Sequence, residues 1–371
     1  MSGISLTREI IERAPKVVLH EHLDGGLRPT TVLELARDID YKGLPTGDPE
    51  ELARWFIADA PGSDLVRYLE GFAHTTAVMQ TKEQLERVAS ESALDLARDG
   101  VVYAEVRFAP ELHTHRGLSL DEIVASVLAG FAHGARQASM EGHTIVVRPI
   151  LSAMRQNNRS EEIARLAVTF RDEGVCGFDI AGPEDGFPPT EHLSAFHLIQ
   201  RENFHMTIHA GEAFGLPSIW EAVQFCDAER LGHGVRIVDD ITRVGDHYEL
   251  GRLANFIRDR RIPLEVCPTS NVHTGAATSI ATHPIELLRQ LRFRVTLNTD
   301  NRLMSGITMS SEFETCAKAF NWGLDDMEWL TLNAAKSAFY QFDQRLEMIN
   351  TVIKPGYAAL RADGATQVAS R

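Results

Sequence analysis

Five clusters of polar residues in this 371-residue chain carry side chains that can bind a metal ion or transfer protons. Each cluster follows a short apolar run of the kind that forms a buried strand. The clusters occupy residues 20–22, 179–184, 209–212, 232–234 and 298–301. Imidazole nitrogens and carboxylate oxygens are ligands that zinc accepts while it keeps a position for water. The residue types therefore indicate a metal centre.

The first cluster is a His-x-His motif. His20 and His22 are two residues apart, so on a strand both imidazoles face the same side and can reach one ion. The same spacing recurs at His113 and His115, which follow Pro110 in an expected loop. We interpret that second pair as two surface histidines in a turn, because motif matches of this length carry many false positives. The spacing alone therefore does not identify a metal site.

The cluster at 209–212 consists of His209, two small residues and Glu212. A buried strand that ends in two polar groups needs partners for them, since desolvated polar groups are costly. The alternative is a helix N-terminus, where a carboxylate is favourable. The intervening Gly211 lets a ligand come close to the backbone, and this favours a binding or catalytic site.

The other three clusters are each open to a simpler interpretation. A lone histidine such as His233 is more often structural, although the glycines on both sides suggest backbone that lies close to a ligand. Asp300 and its neighbours would suit a plain turn, and residues 179–184 would suit a strand-to-helix turn. The order of all five clusters along the chain is more informative than any one of them.

The elements that must position these clusters alternate between strand and helix. The apolar runs that predict strands are 16–20, 101–108, 144–151, 176–180, 205–209, 230–235, 262–267 and 293–298. Helical stripes separate them, and those at 81–99 and 119–141 begin with capping boxes. Eight such repeats predict an α/β fold, a (β/α)₈ TIM-type barrel whose strands end at one catalytic mouth. An open doubly wound sheet is the alternative, but no GxGxxG follows the first strand.

We expect one hydrolase domain over residues 1–371. The stretch at about 28–80 is too long for one crossover and predicts a helical insertion after the first strand. Its position places it over the mouth of the barrel, where it would act as a lid. The tail at about 361–371 is small and polar, and we expect it to be loose.

The composition excludes several classes of partner. Fifty-two acidic and 37 basic residues give a net charge of −15, which argues against nucleic acid and anionic membranes. The four cysteines form no CxxC pair, which indicates free thiols in a reducing compartment. We find no signal-peptide core and no apolar run near the roughly 20 residues of a membrane helix. We therefore expect a cytoplasmic protein, of an oligomeric state that the sequence does not indicate.

The joint order of the clusters resembles that of the adenosine deaminase family of metal-dependent amidohydrolases, over about residues 15–339. The motifs that carry the resemblance are LHEHLDGGLRP at 19–29, FDIAGPE at 178–184, TIHAGE at 207–212, RLGHG at 230–234, CPTSN at 267–271 and LNTDN at 297–301. The resemblance implies one zinc ion per chain. Its ligands would be His20, His22, His209 and Asp300.

The resemblance also implies roles at the substrate. Glu212 would protonate a purine ring nitrogen, and His233 would orient the attacking water. Asp24 and His22 would face the ribose 5′-hydroxyl, and the backbone of Gly182 would meet another ring nitrogen. These groups together would make a purine nucleoside the small-molecule partner of the protein.

One position departs from the family pattern. The family usually has a second Asp after the metal-binding one, and this chain has Asn301. The residue is expected to contact ring nitrogen N7, which accepts a hydrogen bond. An Asn amide donates at any pH, whereas an Asp donates only when protonated. The change is therefore compatible with purine binding.

The function that the resemblance implies is hydrolytic deamination of adenosine and 2′-deoxyadenosine to inosine and deoxyinosine, with release of ammonia. A related purine is the alternative, either free adenine or a 5′-modified adenosine such as aminodeoxyfutalosine. Asp24 favours a free 5′-hydroxyl and disfavours AMP, because its charge would oppose a phosphate. A catalytically inactive binding barrel is the hypothesis from another class, and the completeness of the site argues against it.

Overall fold

The computed structural model describes residues 6–58 and 65–369 of the chain. The strands are β1 (Lys16–His22), β2 (Val101–Phe108), β3 (Val146–Met154), β4 (Gly177–Ala181), β5 (Thr207–Ala210), β6 (Arg230–His233), β7 (Ile241–Val244), β8 (His247–Leu250), β9 (Leu264–Val266) and β10 (Val295–Leu297). The α-helices are α1 (Arg8–Arg13), α2 (Pro29–Asp38), α3 (Pro49–Ala58), α4 (Leu65–Ala77), α5 (Lys82–Arg98), α6 (Leu120–Met140), α7 (Ser160–Thr169), α8 (Leu193–Arg201), α9 (Leu216–Gln224), α10 (Arg252–Asp259), α11 (Pro268–His273), α12 (Ile285–Gln290), α13 (Arg302–Ser305), α14 (Met309–Phe320), α15 (Leu324–Ser337), α16 (Phe342–Met348) and α17 (Lys354–Ala369).

Eight parallel strands close into a barrel. β1, β2, β3 and β4 form one sheet in that order, and β10, β9, β6 and β5 form the other. Parallel bridges join the two sheets at both seams, from Glu21 to Asp300 and from Phe178 to Met206. The eight barrel strands coincide with the eight predicted runs, so the predicted (β/α)₈ barrel is confirmed.

The helices that cover the barrel begin where the sequence predicts. Thr81 and Gln84 form a capping box at the start of α5, and Ser119 and Glu122 form one at the start of α6. Each box satisfies backbone N–H groups that have no partner within the helix. Local capping chemistry therefore fixes where these two helices begin.

Two strands lie outside the barrel. β7 and β8 pair antiparallel after β6 and turn at Gly245, whose φ is +58°. Most of their side chains are exposed. The sequence pattern does not predict this hairpin, because a segment that faces solvent lacks the apolar run by which the barrel strands are identified.

The two segments outside the repeating pattern are both helical where the structure describes them. Between β1 and α5, the chain forms α2, α3 and α4. At the other end, residues 361–369, which the sequence analysis assigns to a loose tail, continue α17. Alanine is frequent in this tail and is the strongest helix former, which accounts for the difference.

The barrel interior contains a layer of paired charges. Arg107 lies 2.7 Å from Glu265 and 3.3 Å from Asp179, while Arg230 lies 2.7 Å from Glu265 and 2.5 Å from Glu105. Burial alone would raise the pKa of Glu265, but the two arginines hold that pKa well below its usual range. Glu265 is therefore ionised and available to orient the side chains above it.

Candidate active site

The clusters that end β1, β5 and β10 meet at the carboxyl ends of the barrel strands. Nε2 of His20 and Nε2 of His22 each lie 3.3 Å from Asp300 Oδ1. Nε2 of His22 also lies 3.3 Å from Nε2 of His209. The structure thus brings together the four side chains that the resemblance implies as metal ligands, although they are separated by up to 280 positions in the sequence.

Two of these imidazoles present lone pairs to the centre of the cluster. His20 Nδ1 donates to Glu265 at 2.9 Å, and His209 Nδ1 donates to Asp179 at 3.0 Å. Burial, together with the charge of Arg107, lowers the pKa of His20 to about 4, so this ring is neutral. Its Nε2 is buried and makes no hydrogen bond to any residue that the structure describes. Several hydrogen-bond acceptors therefore face one another at the centre of the cluster, and a bound cation would interact favourably with all of them. Carboxylates behind the imidazoles are typical of histidines that bind a metal.

The backbone near the cluster is unusual. Asp300 has a φ of +57° and His233 has a φ of +61°, a region that residues with a side chain rarely adopt. Such strain costs on the order of 1–3 kcal/mol per residue and concentrates at functional sites. Asp300 is held further by Ser270 Oγ, which donates to Oδ2 at 2.6 Å.

A chain of hydrogen bonds defines the tautomer of His233. The Ile285 N–H donates to Nδ1 of His283 at 3.1 Å, and burial lowers the pKa of His283 to about 3. Neutral His283 must therefore donate from Nε2 to Asn271 Oδ1, 3.3 Å away. Asn271 Nδ2 then donates to His233 Nδ1 at 3.1 Å. The proton of His233 consequently lies on Nε2, which is 3.4 Å from Glu212 Oε2.

Glu212 is held by a loop that a second carboxylate organises. Thr274 Oγ1 donates to Glu212 Oε1 at 2.8 Å. The backbone N–H groups of residues 211–214 all donate to Glu184, at 2.5–3.1 Å. Although burial would raise the pKa of Glu184, the hydrogen bonds from this backbone and the charge of Arg155 hold that pKa below its usual value. The carboxylate of Glu184 thereby fixes the position from which Glu212 enters the cleft.

Two adjoining cavities form the cleft above the cluster. Glu212 and Asn301 line the first, of about 80 Å³. Asp24 lines the second, of about 110 Å³. His22 and Gly182 line both cavities. Glu212 and Asn301, which the resemblance places at the purine, therefore border one end of the cleft, and Asp24, which it places at the ribose, borders the other.

Two of the substrate-facing residues predicted from the sequence, Asp24 and Asn301, are buried. Asp24 is 4% exposed, its Oδ1 makes no hydrogen bond to the described residues, and burial raises its pKa to about 7. Asn301 is 3% exposed and packs on Gly25, where an added Cβ would lie 1.9 Å from Asn301 Oδ1. Gly182 has a φ of +105°. The turn at Gly25 and the strand end at Gly182 thus require glycine to form the cleft.

Comparison with known proteins shows the family of the chain. The family model described as adenosine deaminase matches residues 15–355. "Adenosine deaminase 1" of Streptomyces coelicolor is 61% identical over 354 residues, which cover 95% of this chain and 89% of the relative. The chain belongs to the adenosine deaminase family.

Solved structures share the fold of this family member at lower identity. An amidohydrolase from Burkholderia ambifaria, with bound Zn, has a TM-score of 0.82 at 23% identity and covers 98% of this chain and 97% of its own. The adenine deaminase of Arthrobacter aurescens has a TM-score of 0.78 at 24% identity, with coverages of 92% and 98%. At such identities the likeness establishes the barrel and leaves the substrate to the residues of the cleft.

Several residues that position the site in this adenosine deaminase family member were not assigned roles from the sequence. They are Asp179, Glu184, Glu265, Ser270, Asn271 and His283. Glu265 did carry a signal, because a carboxylate within the apolar run at 262–267 must find a buried partner. His283 carried none, since its contact with Asn271 depends on how a loop returns to the barrel.

No helix in the described part of the chain combines the length and the apolar character needed to cross a membrane.

Proposed function

We propose that this protein hydrolytically deaminates adenosine and 2′-deoxyadenosine to inosine and deoxyinosine, releasing ammonia. The observation that carries the proposal is the single cleft that joins a potential metal site to Glu212 and His233 at one end and to Asp24 at the other. Membership of the adenosine deaminase family supports the same reaction.

We propose that His20, His22, His209 and Asp300 hold one zinc ion. Neutral imidazoles with a carboxylate form a donor set that zinc favours, and the buried Nε2 of His20 has no other partner. When bound, zinc acts as a Lewis acid and lowers the pKa of water to about 7. The carboxylates behind His20 and His209 fix which nitrogen of each ring is free to bind it.

His233 would act beside the metal rather than on it. Its ligand atoms lie within 4.8 Å of those of His20 and Asp300, so distance alone would admit it as a ligand. The hydrogen bond from Asn271 leaves the proton on Nε2, however, and a protonated nitrogen has no lone pair to give. We therefore propose that His233 donates from Nε2 to the attacking water oxygen.

Glu212 would supply the proton that the purine needs. Attack of water at the amino-bearing carbon moves an electron pair onto the adjacent ring nitrogen, which must be protonated. Thr274 occupies one oxygen of Glu212, and the other oxygen remains close to His233 and the cleft. The amino group then takes one proton from the added oxygen and leaves as ammonia. The remaining proton on that oxygen returns to Glu212, which leaves the carbonyl of inosine.

The cleft favours an unmodified nucleoside among the candidate purines. Asp24 and His22 would bind the ribose 5′-hydroxyl, the Gly182 backbone would meet a ring nitrogen, and the Asn301 amide would donate to N7. The cavity beside Asp24 measures about 110 Å³ and is lined by Leu112 and other apolar residues. This lining suits a small hydroxyl group better than a phosphate or a bulky 5′ substituent.

We further propose that the chain forms one catalytic domain in which α2, α3 and α4 cover the cleft. Phe72 on α4 lines both cavities, so this insertion contributes to the wall that would exclude water from the reaction. The four cysteines are free and buried, and free thiols suit the reducing environment of the cytoplasm.

A substrate panel tests the proposal. Zinc-loaded protein is offered adenosine, deoxyadenosine, adenine, AMP and a 5′-modified adenosine, and deamination is followed by ultraviolet absorbance. We expect turnover of the first two, with Glu212→Gln as the inactive control. Preference for adenine or for the modified nucleoside would support hydrolytic deamination but would show that the natural substrate is not adenosine. Absence of turnover with stoichiometric zinc would favour the binding barrel.

A further inference from the structure

A second cavity lies at the opposite end of the barrel from the cleft. It is formed by residues that precede β5, β6, β9 and β10, together with the end of α15 and part of α16. Its volume is about 340 Å³, within the range of about 300–1,000 Å³ typical of small-molecule sites. It shares none of its lining residues with the two cavities of the candidate active site.

The lining of this basal cavity is strongly basic in a protein of net charge −15. Its cationic residues, apart from the paired Arg230, are Arg260, Arg261, Arg294, Lys336 and Arg345. Two carboxylates, Asp227 and Glu229, also line it. Glu229 accepts a hydrogen bond from His205 Nδ1 at 2.8 Å, and the five basic groups outnumber the two acidic ones.

Arg294 is the one cation of this lining with a buried nitrogen that makes no hydrogen bond to the described residues. That nitrogen is Nε, and no ion pair to Arg294 occurs among the same residues. Burial, followed by the charges of Arg261 and Arg345, lowers the pKa of Arg294. Arg261 and Arg345 each donate one N–H to a backbone carbonyl, of Arg292 at 2.5 Å and of Ala338 at 3.0 Å. Three guanidinium groups therefore stand close together and retain unused donors.

Helix capping explains only part of this arrangement. Arg260 is the C-cap residue of α10 and Lys336 lies in the last turn of α15, where positive charge is favourable against the helix dipole. Arg294 directly precedes β10 and has no such role. The repulsion between Arg294 and its two neighbours is a cost that an anion between them would remove.

We propose that the basal cavity binds the phosphate group of a small metabolite or free orthophosphate through Arg261, Arg294 and Arg345. The planar fork of arginine matches two phosphate oxygens at once. A phosphate carries more negative charge than a carboxylate and so offsets three adjacent cations better. The remaining volume of the cavity leaves room for the organic part of a phosphorylated molecule.

The test compares two arginine variants two residues apart. Arg294→Gln removes a lining cation, and Arg292→Gln removes an exposed arginine that does not line the cavity. Sodium phosphate is titrated into each protein by calorimetry at constant ionic strength. We expect wild type and Arg292→Gln to bind phosphate with equal affinity. Arg294→Gln should bind phosphate at least about tenfold more weakly, because it loses one hydrogen bond from a charged group.

A second readout separates lost binding from lost folding. Without phosphate, Arg294→Gln should melt at or above the wild-type temperature, because the repulsion among the guanidinium groups is relieved. Equal phosphate binding by both variants would overturn the proposal. Both variants keep the candidate active site, so equal binding would mean that phosphate binds at that site or at another place outside the basal cavity. Absence of binding to wild type would overturn it as well.

Two further ligands identify the source of the phosphate. Ribose 5-phosphate binding more tightly than orthophosphate would assign the cavity to a phosphorylated metabolite, and equal or weaker binding would assign it to the free anion. Either result supports phosphate recognition. Sodium acetate binding as tightly as phosphate would contradict it, because a cavity that merely collects anions would not distinguish the two.

Discussion

Two His-x-His motifs of identical spacing occupy very different places in this molecule. His20 and His22 end β1, and their Nε2 atoms both lie 3.3 Å from Asp300 Oδ1. His113 ends a 3₁₀ turn after β2, and His115 is exposed in the loop beyond. The second pair is a loop feature, as the sequence indicates, but His113 is fully buried rather than on the surface.

The difference lies in the partners of each ring. His113 Nδ1 lies 2.9 Å from the Met79 carbonyl oxygen, and its ring packs near Phe108. Among the described residues, neither His113 nor His115 belongs to a group of potential metal ligands, whereas His20 and His22 do. The spacing of two histidines therefore permits a metal site, and the convergence of several strand ends on one point brings together the other potential ligands.

Alanine substitution should separate the two motifs completely. His20→Ala should lose stoichiometric zinc and reduce adenosine turnover to background, because the buried ligand has no substitute. His113→Ala should retain zinc and turnover while losing about 1–3 kcal/mol of unfolding free energy through a buried hydrogen bond and packing. Metal analysis, turnover and denaturant unfolding check both. If His113→Ala folds normally but loses zinc, His113 also contributes to the metal site and the two motifs do not differ in this respect.

Within the first region, the acid should be separable from the metal ligands. Glu212→Gln should bind zinc normally and lose roughly 10²–10⁴ in kcat, the usual contribution of general acid catalysis. The amide keeps the hydrogen bond from Thr274 in one orientation, so the loop should not collapse. Wild-type turnover in this variant would remove Glu212 from the proposed mechanism.

Much of this site was predictable because its residues follow apolar runs. The runs locate the strands, and the carboxyl ends of parallel strands in a closed barrel share one face. The orienting residues could not be found in the same way. Glu265 and His20 are 245 positions apart, and nothing in the spacing says which strands become neighbours across the barrel interior. The hairpin of β7 and β8 was missed because its side chains face solvent.

Buried acids away from the site should act on stability rather than on chemistry. Burial raises the pKa of Glu312 to about 7, and hydrogen bonds from Thr269 oppose this only in part. The folded state then holds a proton that the unfolded chain releases near pH 4.5. Unfolding free energy should therefore fall as pH rises from about 4.5 to 7, by about 3 kcal/mol at most.

Glu312→Gln removes this titration. The amide cannot ionise, so the stability of the variant relative to wild type should improve steadily between pH 5 and pH 7. Urea unfolding at several pH values measures the difference. A difference that stays constant with pH would mean that Glu312 ionises alike in the folded and unfolded chains.

The chain of hydrogen bonds behind His233 should affect the rate of deamination without changing the zinc content of the protein. His283→Phe removes the donor to Asn271, which frees the amide to turn and His233 to carry its proton on Nδ1. We expect kcat to fall by roughly 10–100-fold, as for groups that orient metal-site histidines, with KM and zinc content unchanged. His283→Gln retains an N–H donor and should recover most of the rate. Equal loss in both variants would indicate a packing defect.

The smallest effect is expected at the position that departs from the family pattern. Asn301→Asp replaces a group that always donates with one that usually accepts. Losing one hydrogen bond to N7 should raise KM for adenosine by roughly tenfold or less, with zinc content unchanged. Asp300→Asn is the matched change one residue earlier and should release zinc. If Asn301→Asp releases the metal instead, the ligand carboxylate is misassigned. If neither KM nor kcat moves, Asn301 does not touch the purine, and the specificity of the cleft must come from Gly182, Asp24 and Glu212.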